Sequence, residues 1–140
     1  MEVADAIRKR KSIRGYKPDP VPKAVIREIL DHAVRAPSAV NSQPWEFFVV
    51  TGEPLRKMRE KAVERFRAGE PPHSEHHVLD WPKDSVYWKR QVELASHIFK
   101  LMGIQREDKA KRAEWMERGL RGFDAPAVII VCADRQLSEA

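Results

Sequence analysis

The chain has 140 residues, 42% of them apolar and 34% charged, with a formal net charge of +5. That length suits one domain with a single ordinary core, and the composition excludes a disordered chain. The single cysteine, Cys132, excludes an intrachain disulfide.

In chain order, Val3, Ala6 and Ile7 share one face of a short first helix, expected to run through a basic cluster and end near Gly15. Pro18, Pro20 and Pro22 cannot continue it. Pro22 suits the opening of a second helix, in which Val25, Ile26, Ile29, Leu30, Ala33 and Val34 recur at helical spacing before Pro37. A polar loop, Ala36 to Pro44, leads into Trp45–Thr51 (WEFFVVT), whose aromatic and β-branched residues predict a buried strand. Leu55, Met58, Ala62 and Phe66 then mark a third, amphipathic helix.

From Gly69 to Tyr87, prolines and three histidines predict an irregular excursion. Trp88, Val92, Ala95, Phe99 and Met102 predict a helix ending near Gly103, and Glu107 to Leu120 a charged surface helix. Ala127–Ala133 (AVIIVCA) predicts a second buried strand. Two strands among five helices make a poor sheet unless other segments or a partner add to it. Met1 to Arg10 carries no apolar run resembling a signal peptide, and Ala125 to Ala133, the longest apolar run, is too short to span a bilayer. The expected setting is soluble, reducing and cytoplasmic.

Much of the positive charge lies in Arg8, Lys9, Arg10, Lys11 and Arg14. Alone, such a cluster fits a solvated helix end, a nucleic-acid footprint or a seat for an anionic cofactor. Ser38, Asn41 and Gln43 alone fit an ordinary loop, since Ser and Asn bond their own backbone in turns. Trp45, Phe47 and Phe48 read as core or interface packing. Trp81, Tyr87 and Trp88 read either as packing or as the lining of an acceptor pocket. His73, His76 and His77 have no cysteine near them and read as a solvated loop, so no metal is expected.

Two segments carry a more specific signal. Arg10-Lys11-Ser12-Ile13-Arg14 is followed by Pro20-Val21-Pro22 opening a helix. Then Ala36-Pro37-Ser38-Ala39-Val40-Asn41-Ser42-Gln43-Pro44-Trp45 runs straight into a strand. This order and spacing resemble the opening of FMN-dependent nitroreductase-family flavoenzymes, most closely over Val3 to Thr51, and Phe123-Asp124-Ala125-Pro126 resembles the lead-in to that family's next core strand.

The resemblance implies an α+β nitroreductase-like fold: a central, mostly antiparallel sheet flanked by helices, in an intertwined homodimer with flavin at the subunit interface. It implies one domain over residues 1–140, incomplete at its C-terminus, with a lid-like variable insert at about 69–118. Arg10 would reach the FMN phosphate, with Lys11 and Ser12 at the phosphate and ribityl end and Arg14 near the pyrimidine edge of the ring. Pro37, Ser38 and Asn41 would touch the flavin bound mainly by the other subunit, and Gln43 would fix their loop.

The implied activity passes electrons from NADH or NADPH to nitroaromatics or quinones in two half-reactions, with no catalytic acid, base or nucleophile from the protein. Reductive dehalogenation or consumption of the flavin are alternatives on the same scaffold. A basic, non-catalytic nucleic-acid-binding module is the alternative of another class. Family members usually continue through further strands and helices, so the 140 residues alone are expected to expose an apolar face and be marginally stable.

Overall fold

The computed structural model describes residues 2–71 and 81–134. Helix α1 (Val3–Lys9) places Asp5 in its first turn and Arg8 and Lys9 in its last, matching the helix dipole, but buries no residue. It stops at Lys9 rather than near Gly15: Arg10 takes φ −59°, ψ 126°, which is extended backbone. Four successive cations, Arg8 to Lys11, follow Ile7 with no apolar side chain to hold them against the protein.

Helix α2 (Lys23–Ala33) begins directly after Pro22 and turns Ile26 inward. Strand β1 (Trp45–Thr51) passes at once into helix α3 (Gly52–Arg67). Gly52 makes that reversal at φ +57°, a left-handed conformation that glycine adopts without a Cβ clash. Leu55, one turn into α3, is 2% exposed and is the most deeply buried apolar side chain among the described residues.

Helix α4 (Val86–Leu101) is capped by Ser85, whose Oγ accepts the Trp88 N–H at 3.1 Å. Helix α5 (Lys109–Leu120) is capped by Asp108, whose carboxylate accepts the Lys111 N–H at 3.0 Å. That cap sets the start of α5 two residues later than the charge pattern predicts. Strand β2 (Ala127–Ala133) pairs antiparallel with β1 along its whole length, from Trp45 opposite Ala133 to Thr51 opposite Ala127.

The fold is α+β, with α3 packed on both strands and on α5. Its buried apolar core among the described residues is small: Ile26, Leu55 and Ala125. Neither strand is buried, contrary to the expectation from their composition. Trp45, Phe47 and Val50 are half-buried, whereas Phe48, Val49, Ile130 and Val131 are exposed. Phe48 and Ile130 lie on one face and Val49 and Val131 on the other, so both faces of this two-stranded sheet carry exposed apolar side chains, as expected of a sheet too small to be fully covered. Helix α2 stands off from β1 and α3 across an open groove of about 1220 Å³, lined by Ile26, Leu30, Val49, Leu55, Arg59 and Pro126.

Among the described residues no helix is long and apolar enough to cross a membrane. His73, His76 and His77 lie outside the described residues.

Candidate functional site

The basic segment after α1 is open to solvent, with Arg10, Lys11, Ser12 and Arg14 all exposed. Arg10 donates from Nη1 to Ser12 Oγ at 3.5 Å, and the Tyr16 hydroxyl donates to the Ile13 carbonyl at 3.1 Å. Among the described residues no carboxylate forms an ion pair with Arg10, Lys11 or Arg14. Elsewhere on the surface several arginines are paired with carboxylates. Arg56 sits between Glu53 and Glu60. Arg67 forks onto Glu117 at 2.7 and 2.8 Å. Arg121 forks onto Asp124 at 2.8 and 3.2 Å.

These pairs leave their mark on acidity. The Arg67 guanidinium holds the Glu117 carboxyl below its ordinary value, and Arg121 does the same to Asp124. Arg10, Lys11 and Arg14 are thus three closely spaced, exposed cations without carboxylate partners among the described residues.

The loop between α2 and β1 is shaped by its own side chains. The Gln43 N–H donates to Ser38 Oγ at 3.0 Å, closing the loop, and Gln43 Nε2 donates to Asn41 Oδ1 at 3.0 Å. Inside that closure Val40, Asn41 and Gln43 take φ of +47°, +57° and +47°. Left-handed backbone costs a residue other than glycine roughly 1–2 kcal/mol, with Asn the most tolerant, so the Ser38 bond holds a conformation the chain would not keep by itself. Val40 projects from it 99% exposed. Pro37, Ser38, Asn41 and Gln43 thus form one preorganised loop, with Gln43 as its internal tie.

Among the described residues no hydrogen bond, ion pair or ring contact joins this loop to Arg10–Arg14. The two motifs are separate surfaces of one chain.

The basic segment does meet the far end of the sequence. Arg118 of α5 donates from Nη2 to the Arg14 carbonyl at 3.3 Å, and the Arg14 guanidinium lies 5.9 Å from the centre of the Phe123 ring. Neither partner was legible as a functional residue. The hydrogen bond spans 104 positions, and a distant contact of that kind leaves no local pattern. Among the described residues no group of three or more His, Cys, Asp or Glu side chains is placed to hold a metal ion.

An antiparallel strand pair backed by one helix, an exposed cationic segment behind the first helix and a self-closed Ser/Asn loop before the first strand define an α+β scaffold. The chain belongs to the nitroreductase family, which matches residues 7–140. It is 36% identical over 141 residues to the nitrobenzene nitroreductase of Ectopseudomonas oleovorans, covering 99% of this chain and 61% of that protein. It is 34% identical over 139 residues to the chloronitrobenzene nitroreductase of Comamonas testosteroni, with 99% and 61% coverage. The crystal structure of the FMN and NADPH-dependent nitroreductase NfnB from Sphigopyxis sp. strain HMH superposes with a TM-score of 0.87 at 29% identity, over 97% of this chain and 61% of that one. The chain therefore spans 61% of the length of these relatives.

Proposed function

We propose that the protein is an FMN-dependent oxidoreductase, passing electrons from NADH or NADPH to small acceptors such as nitroaromatics or quinones, and that it acts as a homodimer. The observation that carries this reading is the unpaired, exposed set Arg10, Lys11 and Arg14 beside Ser12. Guanidinium, ammonium and hydroxyl donors are the groups a phosphate dianion and a polyol chain need. Free of carboxylates, they bind an anion without first breaking an ion pair. The donor set therefore fits FMN, and the relatives named above are nitroreductases, one of them described as FMN- and NADPH-dependent.

FMN, when bound, would supply the hydride and electron-transfer chemistry between reduced nicotinamide and acceptor. The protein's part is to bind and orient. Arg10 and Lys11 hold the phosphate charge, with Ser12 donating beside them. Arg14 places a fixed cation near the edge of the ring where negative charge develops, which stabilises that charge without reorganisation. Pro37, Ser38 and Asn41 serve the flavin of the other subunit, on a loop whose shape Gln43 fixes. This division of labour agrees with the separation of the two motifs within one chain. No side chain needs to act as acid, base or nucleophile.

A homodimer is further supported by the exposed apolar side chains of the sheet, Phe48, Ile130 and Val131 among them. We assign the family's variable insert, at about residues 69–118, as lid-like, with Trp81 and Tyr87, whose ring centres lie 4.9 Å apart, as candidates to line the acceptor pocket. A cytoplasmic location goes with this reading, since reduced nicotinamide is found there and Cys132 is a free thiol.

The test begins with the visible spectrum of the purified protein and the mass of any released chromophore. A yellow protein releasing about one FMN per chain, and oxidising NADH or NADPH when nitrobenzene or a quinone is added, is the expected result. Arg10→Met is expected to weaken FMN binding about tenfold, the effect of losing one charge-assisted bond of about 1.4 kcal/mol. A colourless protein that takes up no added FMN refutes the reading. Turnover of halogenated phenols in preference to nitroaromatics would move the activity to reductive dehalogenation on the same scaffold. Binding to DNA with a steep salt dependence, lost when the Arg8–Arg14 cluster is neutralised, would move it to the nucleic-acid class.

A further inference from the structure

We infer that Trp115, Arg118 and Phe123 form a clamp that fixes Arg14, making Arg118 and Phe123 positioning residues for the cation at the flavin ring. The inference rests on the assignment of Arg14 to the flavin made above. Four contacts close a ring of residues. Arg118 donates to the Arg14 carbonyl at 3.3 Å, and Arg14 lies over Phe123 at 5.9 Å. The Phe123 and Trp115 rings are 5.8 Å apart and tilted by 56°. The Arg118 guanidinium in turn lies 5.6 Å from the centre of the Trp115 ring. Trp115 and Arg118, three positions apart, share one face of α5.

Two further observations point the same way. First, among the described residues no other hydrogen bond or ring contact ties the basic segment to a distant part of the chain. Among the described residues its remaining hydrogen bonds are local, from Arg10 to Ser12 and to the last turn of α1, and from Tyr16 to Ile13. The Arg118 bond and the Phe123 contact are its only long-range hydrogen bond and ring contact there. Second, Phe123 is presented by a turn that the chain does not adopt freely. Gly122, Phe123 and Asp124 take φ of +61°, +54° and +58°. The turn is held from both sides, by the Arg121–Asp124 fork and by Arg59, which donates to the Ala125 carbonyl. A left-handed aromatic residue persisting under such restraint is the kind of strain found where a side chain must be aimed.

The experiment measures the flavin midpoint potential and FMN affinity of the FMN-loaded full chain and its variants. Arg14→Met is expected to lower the preference for reduced over oxidised flavin about tenfold, about 30 mV for a two-electron couple. Phe123→Leu and Arg118→Met are each expected to lower it in the same direction by about threefold. Phe123→Leu removes no charge, so its effect cannot be a through-space loss of a cation. Phe123→Tyr and Arg118→Lys, which keep the ring and the cationic donor, are expected to hold the wild-type potential.

The decisive variant is Phe123→Leu combined with Arg14→Met, expected to be no lower than Arg14→Met alone. An additive fall, or a wild-type potential in both Phe123→Leu and Arg118→Met while Arg14→Met falls, overturns the clamp and leaves the flavin reading intact. A chain that binds no FMN overturns the flavin reading itself. If Phe123→Leu fails to fold, Arg118→Met on the helix surface and its lysine counterpart carry the comparison.

Discussion

Replacing Leu55 by alanine tests whether the small core seen around α3 is the element that holds the scaffold. Leu55 is 2% exposed, and the substitution removes three carbon atoms from that position. At about 0.8 kcal/mol for each buried methylene, the transfer loss is about 2.4 kcal/mol. In a sealed core a void would add to this, taking such substitutions to as much as about 5 kcal/mol. Here Leu55 lines the open groove between α2 and α3, so the vacated space joins the groove and the void contribution falls away. The expected cost is thus about 2–2.5 kcal/mol. Measured by urea unfolding at fixed protein concentration, with a slope of about 1.5 kcal/mol/M, the midpoint falls by about 1.5 M at unchanged slope. Val3→Ala, at a side chain 75% exposed, is the control and shifts stability by less than about 0.5 kcal/mol. A loss at Leu55 as small as the control refutes its place in the core. A loss above about 4 kcal/mol refutes the open groove, because only a sealed and tightly packed site produces it.

Two other perturbations follow from the strained and paired segments. Val40→Gly frees a β-branched residue from φ +47° at a side chain with no packing to lose. The strain relieved, about 1–2 kcal/mol, exceeds the roughly 0.4–1 kcal/mol of added unfolded-state entropy. The expected result is a thermal midpoint higher by a few degrees; a fall would show the side chain to be gripped in the assembled protein. For Asp124, the Arg121 fork depresses the carboxyl below its ordinary 3.8 in the folded state. Its stabilising contribution is therefore complete above that value and lost as pH falls through the lower, folded one. The stability difference between wild type and Asp124→Asn is expected to stay constant above about pH 5 and to shrink below 3.8, as read by acid titration of unfolding. A gap that instead closes as pH rises above neutrality contradicts the pairing.

Local patterns were read well from the chain. The 3.6-residue recurrence through Val25–Val34 and Leu55–Phe66 placed α2 and α3, and the runs WEFFVVT and AVIIVCA placed both strands. Burial is where composition and structure differ. An apolar run reports that a strand belongs in an interior, not that the interior is present, and Phe48 and Val131 show the difference at 52% and 62% exposure. The end of α1 was missed for a related reason: helical spacing says where an apolar stripe lies, while the repulsion among Arg8, Lys9, Arg10 and Lys11 decides where it stops. In the candidate site, the basic and Ser/Asn motifs were visible because each is contiguous. Arg118 and Phe123 were not, because what links them to Arg14 is the packing of α5 and the turn after it against a segment a hundred positions earlier.

Exposed apolar side chains lie on both faces of the sheet, Phe48 and Ile130 on one and Val49 and Val131 on the other, and along α2 at Val25 and Ile29. The groove beside Leu55 opens between the same elements. A chain that clusters Arg10, Lys11 and Arg14 without carboxylate partners among the described residues, and that leaves apolar side chains of its sheet exposed, has two kinds of unmet demand: negative charge and apolar contact. On the function proposed above, a phosphorylated flavin would meet the first and a second subunit the second. If each subunit also lends its 37–43 loop to the other's flavin, the two demands are coupled, so flavin binding should strengthen the association of the chains and association should strengthen flavin binding by the same factor.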